Sequence, residues 1–190
     1  MTMKLDEVLE VLAEHRGDRV VVTTMSAAGA WRNYSNGPLD FFYLPSSMGQ
    51  APALGLGLAL AQPGRGVIVV NGEGSMLMNL GSLVTLAHHP AALYLVIIDN
   101  GLYEVTGGQP TAGGGHADYA GLARAAGIQR CYAIETASDW KKQAGEVLSG
   151  PGPVACWLKV EGRIGQATPK PVRPMTEQIA NLQRALQVQV

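Results

Sequence analysis

Short runs of apolar, β-branched residues alternate with amphipathic stretches along this chain. Leu5, Val8, Leu9 and Leu12 recur at three- and four-residue spacing, which predicts a helix with one buried face, capped by Thr2. Arg19 to Thr24 reads as a buried strand and Gln50 to Ala61 as a closely packed helix of small residues. Gly66 to Asn71 is a strand, Asn79 to His88 a helix, and Ala92 to Asp99 an almost wholly apolar strand. A Gly-rich loop covers 100–116. After it come a helix (Tyr119 to Ala126), a strand (Cys131 to Glu135), a helix (Ser138 to Leu148) and a last strand (Val154 to Val160). A Pro-rich connector over 168–174 leads to a closing helix over 175–186. Continuous apolar strands separated by helices imply an α/β fold, a doubly wound parallel sheet with helices on both faces. No repeat or second domain interrupts it, so 1–190 is expected to be a single domain.

Charge changes this picture. Only 15% of the residues are charged, against about 25% in an ordinary domain, and hydrophobic residues make up 47%. That balance points to surface covered by other subunits, or else to a weakly charged monomer. The net charge of −1 without a basic run argues against nucleic acid or an anionic membrane as partner. No apolar stretch approaches a membrane span, and the N-terminus lacks a signal-peptide pattern. Cys131 and Cys156, far apart and in apolar runs, read as reduced core cysteines of a cytoplasmic protein. Trp31, Trp140 and Trp157 read as core or interface aromatics.

The chemistry is expected at the carboxyl ends of the strands, where ligand loops of such sheets lie. Gly72-Glu73-Gly74-Ser75 follows one strand and Asp99-Asn100-Gly101 another. Small glycines admit a ligand to the backbone, and amides at a helix start favour phosphate. Leu77 breaks the dinucleotide fingerprint, no Gly-Lys dipeptide exists for a phosphate loop, and no Gly-x-Ser-x-Gly elbow is present. Between Gly74 and Asn100 lie 25 residues, holding one helix and one strand. Such a unit returns the chain to the same sheet edge, so Glu73 and Asn100 can face one point. Their oxygens, a backbone carbonyl and two phosphate oxygens would make a hard site suited to Mg²⁺.

Gly72-Glu73-Gly74 through Asp99-Asn100-Gly101 resembles the motif of thiamin-diphosphate-dependent enzymes, usually Gly-Asp-Gly, about 25 to 30 residues and Asn. The resemblance implies Mg²⁺ ligation by the side chains of Glu73 and Asn100 and by the carbonyl of Leu102. It implies cofactor contacts at Gly72, Gly74, Ser75 and Val105. Ser46-Ser47-Met48-Gly49 is similar to the segment whose apolar residue, here Met48, wedges between the cofactor's rings, the Ser46 carbonyl receiving the pyrimidine amino group. Thr106-Gly107-Gly108-Gln109-Pro110-Thr111 and Asn79-Leu80-Gly81-Ser82-Leu83 resemble segments of phosphonopyruvate and sulfopyruvate decarboxylases, above all the latter's second subunit. Gln109 and Thr111 then either line the substrate pocket or shape the loop. His116, after three glycines, is either a substrate contact or an exposed loop histidine. His88 and His89 suit a helix end better than catalysis.

Three positions depart from the pattern. Glu73 stands where Asp is usual, Asp99 replaces the first of a common Asn pair, and Ala27 and Ala28 occupy positions of polar diphosphate contacts. Thr24 and Ser26 would substitute for these. The resemblance implies the diphosphate-binding subunit of a decarboxylase of a short 2-oxo acid. It also implies a pyrimidine-binding partner that carries the activating glutamate, within a hetero-oligomer of α2β2 type or larger. An acetolactate-synthase-like carboligase subunit and a non-catalytic cofactor-binding scaffold remain alternatives. A 2-oxo-acid oxidoreductase fits less well with two scattered cysteines.

Overall fold

The computed structural model describes residues 2–167 and 169–187; Thr168, the first residue of the expected connector, and 188–190 lie outside them, as does Met1. Six parallel strands form one sheet in the order β2-β1-β3-β4-β8-β7. They are β1 (Val20–Thr24), β2 (Asp40–Tyr43), β3 (Val67–Gly72), β4 (Leu93–Asp99), β7 (Arg130–Ile134) and β8 (Val154–Lys159). Two short strands, β5 (Leu102–Tyr103) and β6 (Gln109–Pro110), pair as an antiparallel hairpin outside the sheet.

Alternation along the strands builds two cores. Val21, Ile68, Val70, Tyr94 and Val96 face α1 (Leu5–His15), α2 (Met25–Trp31) and α7 (Ala137–Val147). Val20, Val22, Val69, Leu93 and Leu95 face α3 (Ala51–Ala61), α5 (Ser82–His88), α6 (Tyr119–Ala125) and α8 (Met175–Gln187). With both faces covered, the strands are apolar throughout, as the sequence predicts. Gly55 explains the small-residue character of α3. A Cβ there would lie 2.2 Å from Val69 Cγ2, so only glycine lets the helix come this near the sheet. Gly55→Ala is expected to cost about 1–3 kcal/mol by overpacking, lowering the thermal midpoint by about 2–12 °C. An unchanged midpoint in a melting experiment would show that α3 does not need this approach.

The segment 100–116, expected as a loop, holds the β5–β6 hairpin, and α2 and β2 were not expected either. α2 and β2 are short, mostly apolar pieces on either side of the turn-rich segment 32–39. Asp40, 5% exposed, holds them. Its carboxylate accepts from Arg16 Nη1 (2.6 Å), Trp31 Nε1 (2.9 Å), Ser35 Oγ and the Gly37 amide (2.7 Å). The edge strand β2 is covered by α8, where Gln178 accepts from the Phe42 amide at 2.9 Å. Thr2 does not cap α1. The helix starts at Leu5 after Lys4, whose amide donates to the Glu7 carboxylate at 2.7 Å, a reach that needs no hydroxyl at position 2.

The connections place a site. The chain leaves β1 outward to β2 and returns across it to β3, so the carboxyl ends of β1 and β3 flank a switch point, where such sheets bind ligands.

Candidate cofactor site

A cleft opens at that switch point. Its walls come from the start of α2 (Thr24 to Ala27), the β3 turn (Gly72 to Ser75), the β4 turn and hairpin (Asn100, Leu102 to Thr106), Met48, and Val160 and Glu161 after β8. The cleft holds a cavity of about 60 Å³ and is partly open to solvent.

Glu73 heads α4 (Glu73–Leu77), directly after β3, and its neighbour in the sheet, β4, delivers Asp99 and Asn100 alongside. The Glu73 carboxylate is 2% exposed. Oε2 accepts from the Asn100 amide at 3.4 Å, whereas Oε1 has no hydrogen-bond partner. Burial, and secondly the Asp99 charge, push its pKa from the ordinary 4.5 up to about 7, with backbone amides acting in the opposite direction. A carboxylate in this state lacks a cation or a proton. Asn100 Oδ1 accepts from the Leu102 amide at 2.9 Å, which leaves the amide oxygen a second lone pair. Thr111 donates to the Gly101 carbonyl at 2.9 Å and Gly108 to that of Tyr103 at 2.9 Å. These bonds flank the Leu102–Pro110 pair, an arrangement that turns the Leu102 carbonyl away from the partner strand. Gly101, at φ +71°, makes this turn possible.

The β3 turn carries two different glycines. Around Gly72, which lines the cleft, no atom would meet an added Cβ within 4 Å, so the backbone there is open to the cleft. At Gly74 an added Cβ would strike the Tyr103 ring at 2.6 Å and approach Thr111 Cγ2 at 3.2 Å, so the hairpin needs that glycine. Ser75 Oγ accepts from the Gly49 amide at 2.8 Å, and Asn79 Nδ2 donates to the Gly49 carbonyl at 3.1 Å. Gly49, at φ +86°, is thus clamped, and Met48 beside it enters the cleft. The Ser75 hydroxyl keeps its own proton to donate.

Other expected residues divide. Ser26 and Val105 line the cleft. Thr24 does too, but its hydroxyl lies 3.3 Å from the Val70 carbonyl and 3.3 Å from Asn71 Oδ1, so its one proton is already shared within the sheet. Ser46 is half-buried and is not part of the cleft wall. Thr111 is 5% exposed and packs under Gly74 rather than facing the cleft. Gln109 and His116 are exposed and not in the wall.

Four features were not anticipated. Met25, at the head of α2 in the cleft wall, has φ +47°, which is costly for a side-chain-bearing residue. Asp99 is fastened by Trp157 Nε1 at 2.9 Å and the Gly101 amide at 3.1 Å, which leaves it a fixed negative neighbour of Glu73. Tyr119 is wholly buried against Trp157, with ring centroids 6.0 Å apart, and its hydroxyl has no hydrogen-bond partner. Its pKa is raised by burial and then by the charges of Glu73 and Asp99. Glu104, 5% exposed, is a second buried carboxylate in the wall. Among the described residues no group of three or more His, Cys, Asp or Glu is close enough to hold a metal, so a cation here would draw on amide, carbonyl and ligand oxygens.

The sequence pattern of the family described as "Thiamine pyrophosphate enzyme, C-terminal TPP binding domain" matches residues 22–156. The chain belongs to this family. The thiamin diphosphate domain is 33% identical over 151 residues to a protein named "Sulfopyruvate decarboxylase subunit beta" from Methanocaldococcus jannaschii, covering 78% of this chain and 79% of that one. It is 36% identical over 151 residues to a phosphonopyruvate decarboxylase from Streptomyces viridochromogenes, covering 79% of this chain but 38% of that one. A second phosphonopyruvate decarboxylase, from Streptomyces hygroscopicus, is 40% identical over 120 residues, covering 63% of this chain and 29% of its length. The chain thus spans about a third of the length of these two relatives. Benzoylformate decarboxylase from Polynucleobacter necessarius superposes with a TM-score of 0.70 at 20% identity, covering 84% of this chain and 33% of that one. At that identity the likeness shows the fold, a six-stranded α/β domain of the thiamin diphosphate type. No helix among the described residues is long and apolar enough to cross a membrane.

Proposed function

We propose that this chain, over 1–190, is the diphosphate- and Mg²⁺-holding subunit of a cytoplasmic decarboxylase. Its substrate is a short 2-oxo acid of sulfopyruvate or phosphonopyruvate type, and it works only with a pyrimidine-binding partner in a hetero-oligomer. The observation that carries this reading is Glu73. Its buried, half-partnered carboxylate stands beside Asn100 in a cleft that also offers the open backbone at Gly72. That donor set fits a hard cation and a diphosphate. Glu73 Oε1, Asn100 Oδ1 and the Leu102 carbonyl would hold Mg²⁺, and Ser75 would donate to the diphosphate. Met48 would support the ring system. Bound thiamin diphosphate supplies an electron sink for the carbon that loses CO₂.

The substrate class follows the names of the two kinds of relative, and the partner follows the word "subunit" in one of them. The partly open cleft agrees, because a second surface is needed to exclude water from it. So does the low charged fraction of 15%.

The test is product analysis of the complete complex supplied with pyruvate, sulfopyruvate and phosphonopyruvate. Aldehyde and CO₂ from the anionic substrates are expected, with kcat/KM for one of them at least about tenfold above that for pyruvate, the size of one recognised polar group. An acetohydroxy acid product would replace decarboxylation by carboligation. A loaded complex inert on all three, and on a broader 2-oxo-acid panel, would make the chain a scaffold.

A further inference from the structure

The cofactor turn has a support that comes from far along the chain. Beyond β8, Val160 donates to the Asp99 carbonyl at 2.8 Å, so the chain still follows β4. Gly162 then passes behind the Asn100 turn. A Cβ there would lie 2.7 Å from the Asn100 carbonyl oxygen and 2.7 Å from Leu102 Cδ1. Next, the Arg163 amide donates to Glu104 Oε1 at 2.9 Å, and the Arg163 Nε lies 4.0 Å from the same oxygen. Residues 161–163 are therefore a strap, fastened at one end to Asp99 and at the other to Glu104, with its glycine pressed on the turn between them.

Burying a carboxylate is costly, and a neutral acceptor would satisfy one amide at a lower cost. Glu104 is nevertheless buried, and its Oε2 has no hydrogen-bond partner. What the charge adds is strength: a charge-assisted bond to the Arg163 amide, with the guanidinium close by, holds the strap more firmly than a neutral one.

The geometry points to Glu104 as a positioning residue. By holding the strap, it fixes the Asn100–Leu102 turn and with it two oxygens of the proposed Mg²⁺ site. This rests on the metal reading given above, and it adds Glu104, Gly162 and Arg163 to the working parts of the site. Ligand-orienting partners of this kind typically change metal affinity by about 10- to 100-fold.

Two measurements test it. In the metal-free full chain, amide exchange is followed at Arg163 and at Leu102, whose amide reports the turn through its bond to Asn100 Oδ1. Glu104→Ala is expected to speed exchange at both by about tenfold. Glu104→Gln, which keeps an oxygen for the Arg163 amide but not the charge, is expected to restore the protection only in part. In the complex with the partner, Mg²⁺-dependent thiamin diphosphate binding is measured by calorimetry. Glu104→Ala and Gly162→Ala are each expected to weaken it by about tenfold or more, with the Gln variant between Ala and wild type. Leu102 exchange unchanged in Glu104→Ala would overturn the proposal, as would wild-type affinity in both Ala variants. If the wild type binds the cofactor without Mg²⁺ dependence, the metal reading fails, and Leu102 exchange still decides whether the strap holds the turn. Should Glu104→Ala fail to fold, Gly162→Ala carries both readouts.

Discussion

Replacing Glu73 with Gln is expected to abolish Mg²⁺-dependent binding of thiamin diphosphate and, at the same time, to stabilise the metal-free fold at pH 8. Both effects come from one buried carboxylate. Its pKa is about 7 in the fold against an ordinary 4.5. Between those values the native state holds a proton that the unfolded chain has released, so stability falls as pH rises and levels off above about 7. The whole loss is about 3 kcal/mol. A glutamine cannot ionise and escapes it. At pH 8 the variant should melt about 6–12 °C above the wild type, while at pH 4.5 the two should coincide. Mg²⁺ must displace that proton, so wild-type affinity should rise about tenfold per unit up to pH 7 and then flatten. Calorimetry of cofactor binding and melting curves across pH read both halves. A wild type whose stability relative to Glu73→Gln does not fall from pH 5 to 8 would remove the raised pKa from the account. Cofactor affinity unchanged in the variant would remove Glu73 from the metal site.

Purified alone, the chain should release almost no CO₂ from any 2-oxo acid, and adding a pyrimidine-binding partner should raise turnover by about 10²–10⁴-fold. On the two-subunit proposal the partner supplies an acid–base residue for the cofactor's pyrimidine, and such groups are worth about 10²–10⁴-fold. The three buried carboxylates near the cleft are already committed, and Glu161 lies exposed in its wall. Glu73 meets Asn100, Asp99 is held by Trp157 and Gly101, and Glu104 holds Arg163. Glu135 is exposed and lies 3.6 Å from Lys159. Co-expression with a neighbouring reading frame, followed by CO₂ measurement with and without it, decides the matter. Full turnover from a preparation shown by mass spectrometry to hold only this chain would end the two-subunit proposal and transfer the role to Glu104 or Glu135 of a second copy.

The parts of the fold legible in the sequence are those written locally. β1, β3, β4, β7 and β8 are apolar runs closed by turn residues, and each appears within a residue or two of its expected place. Glu73 and Asn100 were legible because each stands at the end of such a run, and strand adjacency does the rest. α2 and β2 were not, because Asp40 assembles them from Arg16, Trp31 and Ser35 through side-chain bonds that no periodicity records. Thr111 shows another limit. A hydroxyl in a Gly-rich loop reads the same whether it faces a cleft or packs beneath one, and here it packs beneath. The strap lay out of reach for a related reason, since Glu104 and Arg163 are 59 positions apart.

The unpartnered polar atoms carry a consequence for how much of this protein a cell keeps. Among the described residues nine buried side-chain atoms lack a hydrogen-bond partner, and seven of them, on Thr23, Ser46, Asn71, Glu73, Glu104, Thr111 and Tyr119, gather at the carboxyl end of the sheet. Each such group costs about 1–3 kcal/mol while it stays unmet, so this end of the sheet is where a bound ligand can add most to stability. Of these, Glu73 and Glu104 line the cleft, and a ligand that satisfies them shifts the folding equilibrium by mass action. Quality control removes unfolded chains continuously, and a difference of one or two kcal/mol changes abundance several-fold. The steady-state amount of this polypeptide would then follow the supply of thiamin without any change in its transcription, starvation being read out as turnover of the apo chain.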